Sequence, residues 1–276
     1  MGKFDGYIIA SDLDGTFLGN RSDEIERNVE KIKYFTSNGG RFTFATGRIP
    51  AAVINLLPRC SEYVNFPAVI CNGMWLYDIS QKRAIFESYG DSEAIEKLSV
   101  ALYKRYPHLA FRGIGVGEII AFQPDNRYIK QELKSQDLSV RFVPLEQWHS
   151  EKFLKLTLRD ESELLNRIKN EIEKEFEGVF DAFKSGDELL EVQPTGFSKA
   201  AMLSGIRERL RDNGEKVKLV CIGDHENDLE MLRIADIAAC PSNAIPEVKE
   251  ICDVCLCDND SGAVADLIEY IEGLIV

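Results

Sequence analysis

Short apolar runs alternate with amphipathic helical patterns near both ends of the chain. Residues 7–10, 41–45 and 68–71 have the length of buried strands, and each run ends in polar or glycine-rich residues. Between the first two runs, apolar residues recur at helical spacing over residues 25–35. This alternation predicts βαβ units and a parallel sheet. Because ligands bind at the carboxyl ends of the strands in such sheets, we expect the chemistry at that edge.

The middle of the chain has a different pattern, in which strands alternate as hairpins. Its predicted elements are a hairpin at residues 74–89, helices at 93–106, 126–134 and 162–176, and strands at 109–112, 118–122, 139–143, 153–158, 179–184 and 188–192. We therefore expect an α+β domain with antiparallel strands over residues 85–191, inserted between the core segments 1–84 and 192–276.

Composition and charge exclude some classes of protein. The content of 45% hydrophobic and 29% charged residues is typical of a globular protein. A net charge of −13 argues against binding to nucleic acid or to an anionic membrane. No apolar run is long enough to span a bilayer, and no export signal precedes the first strand. Seven cysteines without an export signal favour reduced thiols and a cytoplasmic protein. We also expect a monomer or a weak homodimer.

Two carboxylates follow the first strand, in the motif Asp12-Leu13-Asp14-Gly15-Thr16. Side chains two residues apart on an extended chain point the same way. Like charges at the end of a buried strand are unfavourable unless a cation or a proton offsets them. The motif therefore indicates a divalent-metal site in which one acid is a nucleophile and the other an acid/base. The alternative is a loop with ordinary solvated acids.

A second acidic cluster follows another strand, at residues 218–222. Here Asp224 and Asp228 are four residues apart, which places both on one face where a helix begins. Simple helix capping is the alternative. Oxygen ligands without a supporting Cys or His favour Mg²⁺ as the metal.

A lysine is predicted at a helix N-terminus just before this cluster. Ser198 is a good N-cap, so Lys199 falls in the first turn, where the helix dipole favours an anion. A lysine there suits recruitment of a negative ligand, and the alternative is a solvated surface lysine.

Four motifs occur in order along the chain: Asp12-Leu13-Asp14-Gly15-Thr16, Ala45-Thr46-Gly47-Arg48, Ser198-Lys199, and Gly223-Asp224 through Asn227-Asp228. Together they resemble the haloacid dehalogenase superfamily of phosphohydrolases, and specifically its Cof-like subfamily with a type IIB cap. The resemblance implies a Rossmann-like, three-layer α/β core with an inserted α+β cap. It also implies a Mg²⁺-dependent phosphatase that acts on a small phosphorylated metabolite, such as a sugar phosphate.

The resemblance implies a role for each site residue. Asp12 is the expected nucleophile, which forms an aspartyl phosphate, and Asp14 the general acid and then base. Thr46 and Lys199 complete the expected catalytic set. Thr46 holds a phosphoryl oxygen, and Lys199 neutralises charge on the nucleophile and the phosphoryl group. The expected metal ligands are Asp12, the backbone carbonyl of Asp14, Asp224 and, directly or behind them, Asp228. The expected phosphate-binding residues are Leu13, Gly47, Arg48, Asn72 and Asn227, with Asn227 orienting Lys199 or a phosphoryl oxygen.

Two other functions remain open. A phosphomutase would keep the same core and differ in its cap contacts and in excluding water from the aspartyl phosphate. A non-catalytic sensor of phosphorylated metabolites is weakened because the acids and Lys199 are all present. Candidate cap residues for substrate contact are Arg112, Lys155 and Lys184.

The cysteines Cys252, Cys255 and Cys257 form a run that the resemblance does not explain. A zinc or iron–sulfur site would need a fourth ligand, for which Cys240 is the nearby candidate. Residues 253–257 have a strand pattern that places Cys255 and Cys257 on one face. Buried free cysteines are the alternative.

Overall fold

The computed structural model describes residues 2–20, 25–135 and 138–275. The strands are β1 (Tyr7–Ser11), β2 (Arg41–Phe44), β3 (Ala68–Ile70), β4 (Trp75–Asp78), β5 (Arg83–Glu87), β6 (Ala110–Ile114), β7 (Glu118–Ala121), β8 (Ser139–Phe142), β9 (Lys155–Arg159), β10 (Phe180–Gly186), β11 (Leu189–Pro194), β12 (Lys218–Ile222), β13 (Ile237–Pro241) and β14 (Val254–Leu256). The α-helices are α1 (Glu26–Ser37), α2 (Pro50–Leu56), α3 (Ser92–Arg105), α4 (Arg127–Ser135), α5 (Ser162–Glu175), α6 (Lys199–Asp212), α7 (Leu229–Arg233), α8 (Pro246–Lys249) and α9 (Ala263–Leu274).

Short helical turns also follow several strands. They cover Leu13–Phe17, Cys60–Glu62, Cys71–Gly73, Leu145–Ser150, Glu226–Asp228 and Asn259–Ser261.

The chain divides into two compact units. The first comprises Met1–Arg48, Val53–Glu87 and Ser198–Val276, and the second comprises Ser88–Phe197 with the short segment Ile49–Ala52. The boundaries predicted at 84/85 and 191/192 lie within β5 and β11, whereas the long segment of the second unit begins at Ser88 and ends at Phe197.

A five-stranded parallel sheet forms the centre of the first unit, in the order β14-β13-β12-β1-β2. Strands β3, β4 and β5 form a separate antiparallel sheet, which the parallel bridge between Ala45 and Val69 links to the end of β2. The predicted parallel core is thus confirmed, and β1 lies inside it.

Helices cover both faces of the parallel sheet. On one face, Leu203 of α6 and Leu232 of α7 share a buried apolar cluster with Ala10 and Cys221 of the central strands. On the other face, α9 packs on β13 and β14 and contacts α1. These layers agree with the expected three-layer α/β core.

A six-stranded sheet, in the order β10-β11-β9-β6-β7-β8, forms the second unit. Its pairs are antiparallel except β7 with β8, which is parallel and which the hairpin patterns did not predict. One face packs with α3 and α5 around a large apolar cluster that includes Phe111, Leu158 and Ile168. Helix α4 lies on the other face, where Tyr128 and Ile129 contact Ala110 and Ala121.

Among the described residues, none of the helices is both long and apolar enough to cross a membrane.

Candidate active site

Asp12 lies directly after β1, at the carboxyl end of the parallel sheet. Its backbone is extended, and its N–H donates to the carbonyl of Ile222, the last residue of β12, at 2.9 Å. The residue is only 6% exposed. A buried carboxylate is unfavourable unless a positive group or hydrogen bonds compensate its charge.

Lys199 supplies that compensation. Its ammonium donates to Oδ1 of Asp12 at 2.5 Å and to Oδ1 of Asp228 at 2.7 Å. The Ser198 hydroxyl caps the start of α6 by accepting from the amide of Ala201, which fixes Lys199 as the first helical residue. With 1% of its surface exposed, Lys199 is a buried partner of two acids, and the alternative of a solvated surface lysine is wrong.

Asp228 is anchored on both of its carboxylate oxygens. While Oδ1 accepts from Lys199, Oδ2 accepts the backbone N–H groups of Asp224 at 2.9 Å and His225 at 3.1 Å. A side chain at Gly223 would place its Cβ 2.4 Å from Cγ of Asp228, so this turn requires glycine. The residue that orients Lys199 is therefore Asp228, where the sequence suggested Asn227. A role for Asn227 on a phosphoryl oxygen stays a prediction.

Three carboxylates converge at this edge of the sheet. One oxygen each from Asp12, Asp224 and Asp228 lies within 4.8 Å of the others. The Thr16 hydroxyl donates to Oδ1 of Asp224 at 2.6 Å. Gly15 has φ +76°, and a Cβ there would lie 2.5 Å from Oδ2 of Asp224, so only glycine permits this approach. The donor set is oxygen only and densely anionic, which fits a hard divalent cation such as Mg²⁺.

Burial and mutual repulsion shift the pKa values of the acids. Burial raises the pKa of Asp12 well above its ordinary value, against the opposing effect of Lys199. Burial, together with the charge of Asp228, raises the pKa of Asp224 to about 7. Burial alone would lower the pKa of Lys199, but Asp12 and Asp228 raise it above its usual range. The lysine is therefore positively charged, and the site favours uptake of further positive charge.

The loop after β1 is held in a wide turn. The Leu18 N–H donates to the Leu13 carbonyl at 2.9 Å, and the Leu13 side chain is fully buried. Leu13 therefore offers a ligand only its backbone. The Asn243 side-chain amide donates to the carbonyl of Gly15 at 2.7 Å. No sequence motif indicates Asn243, because this contact joins two loops through a backbone atom.

The ends of β2 and β3 also meet at this edge. The Ala45 N–H donates to the Ser11 carbonyl at 2.8 Å, so Thr46 follows a strand end that lies beside the one preceding Asp12. The Asn72 N–H donates to the Thr46 carbonyl at 2.9 Å, which joins the two predicted phosphate-binding loops. The Thr46 hydroxyl accepts the N–H of Arg48 at 3.1 Å across Gly47, so the turn is braced from within.

Arg48 contacts the second acid of the first motif. Its Nε and one Nη donate to the two carboxylate oxygens of Asp14, both at 2.7 Å. The motif predicts phosphate binding by Arg48, and the ion pair with Asp14 was not predicted.

The cysteine run does not form a metal-ligand group within residues 2–20, 25–135 and 138–275. Cys240 of β13 is buried and lies opposite the exposed Cys255 of β14. Cys257 lies just beyond β14, where burial, together with a contact with Asp266, raises the pKa of its thiol to about 11. The strand predicted at residues 253–257 is present as β14.

Comparison with known proteins identifies the family. The model of the haloacid dehalogenase-like hydrolases matches residues 9–268. A protein of Streptococcus pyogenes serotype M6, named provisionally as a phosphatase, is 26% identical over 270 residues, which cover 92% of this chain and 94% of that protein. The 5-amino-6-(5-phospho-D-ribitylamino)uracil phosphatase of Escherichia coli K12 is 24% identical over 277 residues, with 96% and 95% covered.

The fold has solved counterparts as well. A sugar phosphatase of haloacid dehalogenase subclass IIB superposes with a TM-score of 0.79 at 20% identity, over 98% of this chain and 100% of that one. The family match spans the acidic motifs, Thr46 and Lys199. The chain therefore belongs to the haloacid dehalogenase-like hydrolases and is a phosphatase of their Cof-like group, with the fold of subclass IIB.

Proposed function

We propose that this phosphatase hydrolyses the phosphate monoester of a small metabolite, with Mg²⁺ bound and through a phosphorylated Asp12. The observation that supports this most directly is the buried Asp12 carboxylate, held by Lys199 and clustered with Asp224 and Asp228. Three acids around one lysine leave the site with an excess of negative charge. A divalent cation would offset this excess and allow an anionic phosphoryl group to bind.

In the first step, a carboxylate oxygen of Asp12 attacks phosphorus. The new bond joins phosphorus to Asp12, the bond from phosphorus to the ester oxygen breaks, and the leaving oxygen takes a proton from Asp14. The ammonium of Lys199 lies 2.5 Å from Oδ1 of Asp12 and would neutralise negative charge on the attacking group and the phosphoryl group.

In the second step, a water molecule attacks the phosphorus of the aspartyl phosphate. Asp14 accepts the proton of that water, the bond from phosphorus to Asp12 breaks, and inorganic phosphate leaves. Asp14 thus returns to its starting protonation state, and Asp12 is regenerated as a carboxylate.

Asp12, Asp224 and the backbone carbonyl of Asp14 would hold the cation, with Asp228 as a further ligand or as the group that fixes Lys199. When bound, Mg²⁺ would neutralise the phosphoryl oxygens during transfer. The Thr46 hydroxyl, the backbone of Leu13, and residues Gly47, Arg48, Asn72 and Asn227 are proposed to bind the phosphoryl group.

We further propose the second unit as the cap that selects the substrate. Residues alternate along each strand, so Arg112 and its neighbour Thr157 lie on the sheet face opposite α3 and α5. Lys155 pairs there with Glu191, and both side chains are buried. Lys184 instead donates to Ser162 of α5 on the other face and is dropped as a candidate. A buried row of donors and acceptors suits a polyhydroxylated substrate, such as a sugar phosphate.

The names of two relatives support this class. The Escherichia coli protein is named for a phosphorylated ribityl compound, and the structural neighbour is named a sugar phosphatase. Both names describe phosphate esters on hydroxylated carbon chains.

A panel of phosphate monoesters, assayed with Mg²⁺ and purified protein, tests the proposal. We expect release of inorganic phosphate, and we expect Asp12→Asn to lower the rate at least about a hundredfold while the far-ultraviolet spectrum and the melting temperature change little. A variant that kept more than about a hundredth of the rate would contradict the covalent mechanism. Conversion of one sugar phosphate into another without phosphate release would favour the phosphomutase.

A further inference from the structure

The loop that follows Asp12 contains a tight turn centred on Asp14 and Gly15. The backbone angles, φ −77° and ψ 121° at Asp14 and φ +76° and ψ 0° at Gly15, are those of a type II β-turn. The second central position of such a turn favours glycine, which has no Cβ to oppose a positive φ. The turn therefore places the proposed acid/base directly before a glycine.

This glycine leaves the turn weakly restrained from within. Glycine has more backbone freedom to lose on folding than any other residue. The side chain of Asp14 is 52% exposed, and its pair with Arg48 fixes the carboxylate rather than the backbone. A fixed position for the acid/base thus needs a contact that holds the backbone at Gly15.

Asn243 makes that contact. Its Nδ2 donates to the Gly15 carbonyl at 2.7 Å, and its Oδ1 accepts the N–H of Asn259 at 3.0 Å. Asn259 is 2% exposed and donates to the Leu18 carbonyl at 2.8 Å. The residue that orients Asn243 is therefore itself fixed to the far end of the same loop.

An asparagine suits this bridge because its amide carries a donor and an acceptor on one short side chain, whereas aspartate carries acceptors alone. The arrangement recurs at Asn28, whose amide donates to the Phe17 carbonyl at 3.1 Å and accepts the N–H of Ala265 at 2.9 Å. Asn28 is buried and holds the far end of the loop, whereas Asn243 holds the residue that follows Asp14.

We propose that Asn243 is a positioning residue for Asp14, which it keeps in place for proton transfer by holding the Gly15 carbonyl. This inference rests on the proposed function, from which it takes the role of Asp14. Because Asn243 acts through the backbone of Gly15, its loss should slow the chemical steps and leave substrate binding nearly unchanged.

Two variants separate the donor from the acceptor of the Asn243 amide. Asn243→Ala removes both, whereas Asn243→Asp keeps the acceptor for Asn259 but places an oxygen against the Gly15 carbonyl. At saturating Mg²⁺, both should lower kcat by about tenfold or more and change KM by less than about twofold. If Asn243 served to brace Asn259 instead, Asn243→Asp would keep the wild-type kcat, which would overturn the proposal.

Amide hydrogen exchange examines the turn without turnover. Followed by mass spectrometry over residues 13–18, exchange should be about fivefold faster in Asn243→Ala than in the wild type, because the turn opens more often once a hydrogen bond is lost. Equal exchange in the two proteins would show that Asn243 does not restrain the turn and would also overturn the proposal.

Asn126 provides a matched control in the second unit. Its amide likewise donates to a backbone carbonyl, that of His108 at 2.8 Å, and accepts a backbone N–H, that of Tyr128 at 2.9 Å. Asn126→Ala should leave kcat and the exchange of residues 13–18 unchanged, and an equal loss of kcat there would contradict a specific role for Asn243. Failure of the proposed function would differ from all these results, because the wild-type protein itself would release no phosphate.

Discussion

Arg48 binds Asp14 through two parallel hydrogen bonds of 2.7 Å, so the proposed acid/base of the reaction is held by a guanidinium fork. Such bidentate pairs fix the orientation of a carboxylate as well as its charge. Arg48 is therefore a candidate positioning residue for Asp14, in addition to its proposed contact with the phosphoryl group.

These two roles predict different kinetics for Arg48→Ala. The leaving oxygen of an alkyl phosphate needs a proton, whereas the p-nitrophenolate of p-nitrophenyl phosphate leaves without one. If Arg48 positions Asp14, the variant should lose about ten times more kcat with the alkyl ester than with the aryl ester. Equal losses with both esters would show that Arg48 acts only on the phosphoryl group.

The raised pKa of Asp224 predicts that the stability of the metal-free protein depends on pH. The folded state holds the proton of Asp224 up to about pH 7, whereas the unfolded chain releases it near pH 3.8. Folded protein thus binds more protons in this window, and the free energy of unfolding should fall as pH rises through it, by on the order of 2–4 kcal/mol.

Urea denaturation in excess chelator, at several pH values between 4 and 8, measures this dependence. The difference in unfolding free energy between wild type and Asp224→Asn isolates the contribution of Asp224. The amide of the variant has no proton to lose, and its oxygen can still accept a hydrogen bond from Thr16. A constant difference across the range would contradict the assigned pKa.

The oxygen-only donor set predicts the metal requirement. Activity should disappear in excess chelator and return with Mg²⁺, whereas Ca²⁺ should restore little, because its longer bonds and larger coordination number would displace the attacking carboxylate. Binding of Mg²⁺, followed by calorimetry, should weaken below about pH 7, where a proton competes at Asp224. Full activity in chelator would exclude the proposed cation.

The proposed cap predicts a split between selectivity and turnover. Arg112→Ala should change the ranking of substrates in the ester panel, whereas Thr46→Ala should slow all of them by a similar factor. Lys184→Ala is the matched control, because Lys184 lies on the opposite face of the same sheet, bonded to Ser162. If Arg112→Ala and Lys184→Ala leave the same profile, the polar face does not choose the substrate.

Much of the architecture was predictable because it depends on local patterns. The strands around Asp12 and Asp224 are continuous apolar runs that end in acidic residues, and both are present as β1 and β12. Strand β13 was not predicted, since its alanines give a weak apolar signal. The parallel pairing of β7 with β8 was not predicted either, because strand direction depends on how a connection crosses the sheet.

In the site, the motifs identified the acids and the lysine but not their pairing. Asp228 binds Lys199 because two backbone N–H groups of its own turn aim the carboxylate, and this geometry depends on φ and ψ rather than on residue spacing. The pair of Arg48 with Asp14 depends on the rotamer of a long side chain, which the sequence does not specify.

The sequence separation of 187 between Asp12 and Lys199 has a consequence for how the chain matures during synthesis. Strand β1 leaves the ribosome early, yet both its neighbour β12 and the ammonium that neutralises Asp12 come after the whole of Ser88–Phe197. Until Lys199 is synthesised, its ammonium cannot neutralise the Asp12 carboxylate, and burying that carboxylate would be unfavourable. The second unit, which apart from Ile49–Ala52 is one continuous segment, is synthesised completely before Lys199 and should fold first, so Asp12 should enter its pocket only near the end of translation.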